Sequence, residues 1–475
     1  MDICLVRIVE FQENDSIHPR DVIPSFELLN VSSLLKKNHK IQYLDNEILS
    51  KNSKSFLNLI LNNKSDLLII HFQPTVANQM SKMIKEIKKK TNKIVIAFGT
   101  TVEYKTLYFL QESRTDYAIL GEVELSLLEL INDLSLKKVL TLKQLKKING
   151  IAFLHNNSLV KTKPRELLNP NILPFMSHEL IQNEKYKVVS KIIRPLGKIK
   201  WGFILSSRGC PYKCQFCSPS IRYSYGNKYR YQTPKRTVNE IEYLIKKYGV
   251  NAISFEDDIF TLSKDRVVKI CQEIIKRNIK VSWTVATRLD CLNQKMINLM
   301  KKAGCQGVST GIESGSDRIL QIVKKGENIH QIKKGIQMLQ NAKIAVTANI
   351  IIGHPTETEK DLQLTLDLIK SVKPAFIHLH YLTPYPGAKL FLEYTNKLNK
   401  FKDYTHRKSH EFNISSVNTE RLHKTFKKIY YSHYLSFSFL KNYFKYRLNY
   451  WLYDPVFEIK FITKTFLYLI LINSK

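Results

Sequence analysis

The chain has 475 residues, 44% hydrophobic and 24% charged, a globular composition that excludes disordered and fibrous classes and leaves room for two or three domains. Its 74 Lys and Arg against 41 Asp and Glu give a formal charge of +33. Lys, Asn and Ile abound along the whole length while Gly and Ala are sparse, so the charge reads as compositional bias and a nucleic-acid partner is not expected. Seven cysteines with a single cluster, no secretory leader and no apolar run near ~20 residues exclude a disulfide framework and a transmembrane segment, and point to a reducing cytoplasm.

Residues 3–9 (ICLVRIV) make a short apolar strand, 24–37 carry helical spacing, and 41–44 and 67–72 (LLIIHF) read as strands. Residues 77–90 place Met80, Met83, Ile84 and Ile87 on one helical face. Residues 94–98 (IVIAF) form a strand that turns at Gly99, and 117–120 form another. The helix opening at Gly121 (GEVELSLLELI) has acidic residues in its first turn, where the macrodipole favours them. This alternation predicts an α/β fold with an open, mostly parallel, Rossmann-like sheet over residues 1–145, which would bind ligands beyond the carboxyl ends of its strands. Residues 146–195 lose the rhythm. A hairpin turning at Asn156-Asn157 and a Pro-punctuated connector read as a linker.

From Trp201 the alternation returns. Strands at 202–207, 252–256, 281–286, 307–312, 345–352 and 376–382 alternate with helices at 238–248, 266–277, 294–303, 329–341 and 359–371. Six β/α units within residues 196–390 predict a partial barrel, where eight would close a full one. Residues 391–475, rich in Tyr, Phe and Lys, are expected to be mainly helical, packed over the barrel's open side. Their apolar stretch 466–472 (FLYLILI) reads as buried core first and as a peripheral membrane contact second.

Cys210, Cys214 and Cys217 follow the first barrel strand in the spacing C-x3-C-x2-C. No second pair and no nearby His completes a tetrahedral zinc site. A cubane iron–sulfur cluster ordinarily takes four thiolates, so three would leave one iron open to another ligand. Other polar groups fall at the carboxyl ends of later strands, where the active sites of barrel folds sit. They are Glu256, Asp257 and Asp258 in FEDDIF, Arg288 in TRLD, Glu313 in GIESGS, and Gly353 and Pro355 in IIGHPTET, followed by YPGA at 385–388. Singly each has a bland use, a tight turn for GIES or a helix cap for Asp257-Asp258. In register with six strands they form one constellation.

On these residues the stretch 200–390 resembles the radical S-adenosylmethionine superfamily. The resemblance implies a [4Fe-4S] cluster on Cys210, Cys214 and Cys217, whose open iron chelates the amine and carboxylate of S-adenosylmethionine. An electron from a donor such as flavodoxin or ferredoxin then yields a 5′-deoxyadenosyl radical that takes hydrogen from substrate. It also implies that Phe216 packs near adenine, that Glu256, Asp257 and Asp258 meet the methionyl end, that Arg288 and Glu313 reach the carboxylate and ribose, and that Gly353 to Pro355 offer backbone to adenine.

Three further stretches, DLLIIHFQPT from Asp66, IAFGTT from Ile96 and DYAILGEVELSLLELI from Asp116, resemble the cobalamin-binding domain that precedes the barrel in one large subgroup. That resemblance implies a cobalamin whose nucleotide tail lies against the sheet at Gly99. It also implies methyl transfer to an unactivated carbon of a small molecule, lipid or natural-product intermediate; ring formation or rearrangement is the alternative. Gly99-Thr100-Thr101 stands where relatives carry a Gly-Gly pair, and the Asp-x-His-x-x-Gly signature of a lower cobalt ligand is absent, Asp15 and His18 having the wrong spacing. His18 and His71 are candidate ligands, for which a surface or core histidine is the commoner use. A tRNA methylthiotransferase would need three further cysteines in the first domain, which has only Cys4. A bare electron-carrier module would not need the S-adenosylmethionine motifs. Cys271, Cys291 and Cys305 form no ligand set and read as small core residues.

Overall fold

Strand–helix alternation builds two sheets, and the site lies where their carboxyl ends meet. The structure is a computed structural model and describes the chain apart from residues 12–20, 51, 138, 183, 189–198, 218–224, 386, 395–411, 454, 457, 460–461 and 464–475. His18 and the stretch 466–472 therefore lie outside the described residues.

The first sheet contains β1 (Asp2–Ile8), β2 (Lys40–Asp45), β3 (Leu67–Phe72), β4 (Ile94–Phe98), β5 (Tyr117–Ile119), β6 (Ile151–His155) and β7 (Ser158–Lys161) in the order β2-β1-β3-β4-β5-β6-β7. The strands β1 to β5 pair in parallel. The hairpin β6–β7 adds antiparallel to β5, so it continues this sheet. Successive strand residues point to opposite faces, and both faces are covered, which explains the nearly unbroken apolar strands. Ile3, Leu5, Leu67, Ile69 and Ile96 pack with Leu28, Val31, Leu127 and Leu130. Cys4, Val6, Ile8, Leu68, Ile70 and Val95 pack with Met80, Met83, Ile84 and Ile87 of the helix Ala77–Lys90.

The second sheet consists of β8 (Trp201–Ile204), β11 (Ala252–Phe255), β12 (Ser282–Ala286), β13 (Cys305–Glu313), β14 (Ala345–Ile352) and β15 (Phe376–Tyr381) in the order β15-β14-β13-β12-β11-β8. All its pairings are parallel. The two-residue strands β9 (Ser207–Arg208) and β10 (Arg230–Tyr231) form a separate antiparallel ribbon beside β8. Six strands in sequence order, with β8 and β15 as edges unpaired among the described residues, make the partial barrel that the sequence predicts. Its helices are capped by side chains: Asn328 and Thr358 close capping boxes on Ile329–Asn341 and Glu359–Val372. The helix Thr419–Tyr434 covers the β15 side, with Tyr381 and Phe426 rings stacked at 4.6 Å and Tyr434 Oη donating to the Ile377 carbonyl.

The domains are joined by apolar and charged contacts. Leu29 of the first domain, Met176, Ile181, Tyr186 and Val188 of the connector, and Phe203 of β8 share one cluster. Arg208 donates to Glu122 (3.0 Å) and Glu124 (2.5 Å), and Arg230 to Glu122 (2.8 Å); Arg208 and both glutamates are buried, Arg230 partly so. Burial alone would lower the Arg208 pKa, but Glu124 and then Glu122 hold it above its ordinary value.

Candidate functional site

The site begins where β8 runs out. Gly209 has φ +85°, and a Cβ there would overlap the Lys228 carbonyl, so only glycine makes this turn. The cysteine loop follows. Cys210 N donates to the Gly226 carbonyl (3.3 Å), Cys217 N to Cys214 O (3.4 Å), and Gln215 N to Val323 O (3.0 Å), while Leu390 N donates to Gln215 O (3.3 Å). The loop is thus anchored to the segments after β13 and β15. Cys210, Cys214 and Cys217 are half-buried free thiols; Cys4, Cys271, Cys291 and Cys305 are fully buried. Burial pushes the Cys4 and Cys271 thiols up to about 12, which suits inert core residues.

The carboxylates beside the loop divide their work. Asp257 Oδ1 accepts from Ser206 N (2.6 Å), and its Oδ2 from Ser206 Oγ (2.7 Å) and Ser207 Oγ (2.6 Å). It therefore braces the strand entering the cysteine loop. Asp258 is different: buried beside Gly209, it leaves Oδ2 with no hydrogen-bond partner. Burial, reinforced by Asp257, pushes its pKa up to about 7. Glu256 accepts from Ser254 Oγ.

Arg288 is fully engaged. It donates to Asp290 through Nε (3.0 Å) and Nη2 (2.8 Å) and to the Lys325 carbonyl through Nη1 (2.7 Å), and it lies 3.7 Å over the Tyr212 ring. Lys325, not singled out in the sequence, puts a buried ammonium 3.7 Å from Glu313 and 3.2 Å from Glu327. Those two carboxylates outweigh its desolvation and raise its pKa, and the Cys214 thiol is near enough to add to the effect. Glu313 has φ +60°, and Gly311 leaves room for its carboxylate, since a Cβ there would overlap Glu313 Oε1.

At the end of β14, Gly353 N (2.6 Å) and His354 N (3.3 Å) both donate to Glu357 Oε2. Glu357 is the residue holding this turn, and the sequence reading did not single it out. Burial pushes its pKa up to about 8. Pro355 is buried in the same turn. The Phe216 ring stands edge-on to His354 at 6.1 Å and packs against the cluster of Leu382, Leu390 and Phe391, against which Tyr104 also packs. Tyr104 belongs to the helix Thr100–Tyr104 that follows Gly99, so the cysteine loop and the carboxyl end of β4 share a cluster.

A cavity of about 390 Å³ opens at the carboxyl ends of β3, β4 and β5, lined by Glu27, His71, Phe98, Gly99, Glu103, Glu122 and Glu124, with Tyr225 and Tyr385 as its wall from the second domain. Gly99 has φ +128°, and a Cβ there would lie 3.1 Å from the Phe72 carbonyl and 3.6 Å from His71 Cδ2. His71 stacks on Phe98 (4.7 Å, 7°), and its Nδ1 meets Ser25 Oγ at 2.8 Å. Ser25 Oγ donates to Glu27 Oε2 (3.0 Å), so His71 Nδ1 is the donor to Ser25. Burial lowers the His71 pKa against the pull of Glu27, which leaves the ring neutral. Burial likewise pushes Glu103 up to about 7.

Residues 204–369 of the chain match the family model of the radical SAM superfamily. Among its relatives, an uncharacterized methyltransferase of Pyrococcus horikoshii is 28% identical over 421 residues, which are 87% of this chain and 88% of the relative. An anaerobic magnesium-protoporphyrin IX monomethyl ester cyclase of Rubrivivax gelatinosus is 34% identical over 197 residues, but these are 41% of this chain and 35% of the relative. Among solved structures, the radical S-adenosylmethionine methyltransferase TsrM of Kitasatospora setae, with cobalamin and a [4Fe-4S] cluster bound, aligns with TM-score 0.65 at 17% identity over 85% of this chain and 76% of its own. At that identity the likeness is one of fold.

The residues fit a cubane cluster. Among the described residues no three His, Cys, Asp or Glu side chains converge on a single ion, but a cubane binds each thiolate through a separate iron and needs its thiols spread. The lone oxygen of Asp258 and the ammonium of Lys325 offer an acceptor and a cation beside that loop, the complement of an amino acid's ammonium and carboxylate.

Proposed function

We propose that this protein is a cobalamin-dependent radical S-adenosylmethionine methyltransferase acting on an unactivated carbon of a small molecule or lipid. The observation that supports the reading is that Phe216 of the cysteine loop and Tyr104, in the helix after Gly99, pack against one apolar cluster, while Tyr225 and Tyr385 of the second domain wall the first domain's cavity. Relatives and the TsrM fold favour methyl transfer; the cyclase relatives, matched over less of their length, favour the second reading, a rearrangement or ring closure.

When bound, the cluster with S-adenosylmethionine supplies a 5′-deoxyadenosyl radical and cobalamin supplies a transferable methyl group. The chain's own residues do the rest. Cys210, Cys214 and Cys217 would hold the cluster through three of its irons. Asp258 accepts from the methionyl amine, while Lys325, kept charged by Glu313 and Glu327, binds the methionyl carboxylate. Arg288 positions Lys325 through its carbonyl, and Glu256 and Asp257 fix the strand end. Glu313 meets the ribose, and Phe216 and the backbone of Gly353 to Pro355 frame the adenine, with Glu357 bracing that turn.

The 390 Å³ cavity beside Gly99 would take in part of a corrinoid, and its lining carboxylates, Glu103 among them, would offer acceptors to amide groups. His71 presents its Nε2 edge there. Residues 196–390 form the catalytic core, residues 1–145 hold the corrinoid, and residues 391–475 shape access to substrate. A flavodoxin- or ferredoxin-like donor in the cytoplasm supplies the electron.

The test is anaerobic purification from a cobalamin-supplied host, with iron, sulfide and corrinoid counted per chain. About four irons and about one corrinoid are expected, with 5′-deoxyadenosine released on reduction with S-adenosylmethionine. Cys214→Ala should lose the cluster and this cleavage together. Four irons with no corrinoid after reconstitution would end the cobalamin reading and leave the rearrangement.

A further inference from the structure

The C-terminal helix Phe437–Tyr453 carries apolar residues on two sides: among the described residues one side packs into the barrel core and the other is exposed. Its inner face sets Phe439, Tyr443 and Tyr446 into the barrel core, and beneath it Arg447 forms a sealed ion pair with Glu458. Its outer face carries Phe437, Leu440, Phe444, Leu448 and Leu452, each three or four residues from the next and hence on one side of the helix. Phe437 is 82% exposed and Leu452 is 73% exposed. Val456 and Ile459 extend the exposed series. Single exposed leucines need no explanation, but a continuous stripe along a long helix marks a contact surface.

Charge identifies the occupant. Lys441 and Lys445 are exposed on this same stretch, and the whole chain carries +33. A second copy of the face would bring these lysines against their equals, and an apolar protein groove would leave them without acceptors. An anionic lipid surface satisfies both groups at once, phosphates for the lysines and the headgroup–acyl boundary for Phe and Leu. Among the described residues no helix is long and apolar enough to cross a membrane, so the contact is peripheral.

We propose that the outer face of the helix Phe437–Tyr453 docks this protein on an anionic bilayer surface. The proposal stands on the helix alone and is independent of the cofactor assignment.

The test uses the full chain with cluster, sedimented with vesicles of phosphatidylcholine alone or mixed with phosphatidylglycerol. The bound fraction should be roughly tenfold higher on the anionic vesicles and fall at about 1 M salt, where screening acts within ~3 Å. Phe444→Ser with Leu448→Ser should lower anionic binding roughly tenfold while helix content and iron stay unchanged. Lys441→Glu with Lys445→Glu should abolish the anionic preference. Equal binding by wild type and both variants, or none by wild type, would overturn the proposal. So would a wild-type dimer that the serine variant converts to monomer, which would assign the face to a second copy.

Discussion

Glu357 shows how one buried carboxyl can set a pH dependence. It holds the Gly353–His354 backbone, and its pKa stands at about 8, because burial disfavours the charged form. A carboxyl raised in the folded state stabilises least where the unfolded chain ionises freely, so its contribution is present below about pH 4.5 and is lost as pH climbs toward 8. Glu357→Gln keeps a carbonyl acceptor for both amides and removes the charge. Thermal melts should show the variant near wild type at pH 5 and more stable by about 1–2 kcal/mol at pH 8. His433 runs the other way. Burial holds it at about 3, so its contribution is full above about pH 6.5 and lost as pH falls toward 3. His433→Phe should therefore flatten the acid limb of the same melt curve.

Gly209 offers a second test at this scale. Any side chain there meets the Lys228 carbonyl at a positive φ. Gly209→Ala should lower iron per chain while leaving far-ultraviolet ellipticity near wild type, because the damage is confined to the turn that delivers Cys210.

Among the elements, the strands and helices of both sheets could be read from apolar periodicity, because both faces of each sheet are buried and the pattern repeats with every unit. The short ribbon of β9 and β10 could not, since two residues carry no period. Glu357 is missed although its partners Gly353 and His354 lie only four and three residues back, because the bond exists only once the turn closes; the other side chains missed at the site have partners remote in sequence. Lys325 lies in a bend with no motif around it, yet it meets Glu313 and neighbours Cys214. The acids of GEVEL look like residues placed for a helix dipole. In the fold Glu122 and Glu124 turn to Arg208, 86 and 84 residues away. Such pairs leave no local signature, because only the closed fold brings them within reach. Removing one partner strands buried charge, so Arg208→Ala should cost about 3–5 kcal/mol in denaturant melts. The pair replacement Arg208→Met with Glu124→Leu should recover much of that loss.

For the molecule as a whole, the division into sheet, partial barrel and helical cover follows from counting units: six strands leave open edges, and the helix Thr419–Tyr434 covers the β15 side. In the proposed enzyme, an open iron at the mouth of such a barrel would be exposed to oxidants. Air should bleach the visible absorbance and strip iron within hours, an outcome that iron titration over time would check and that stable aerobic activity would refute.

Ser206, Ser207, Arg208, Gly209 and Cys210 are consecutive, and none of them is idle. The serines bind Asp257, the arginine spans to the first domain, the glycine turns, and the cysteine opens the loop. The two halves are therefore not interchangeable modules. A chimera that sets this barrel behind another first domain inherits a buried guanidinium two residues ahead of Cys210, and unless counterparts of Glu122 and Glu124 travel with it, the graft is undone at the cysteine loop before any substrate is met.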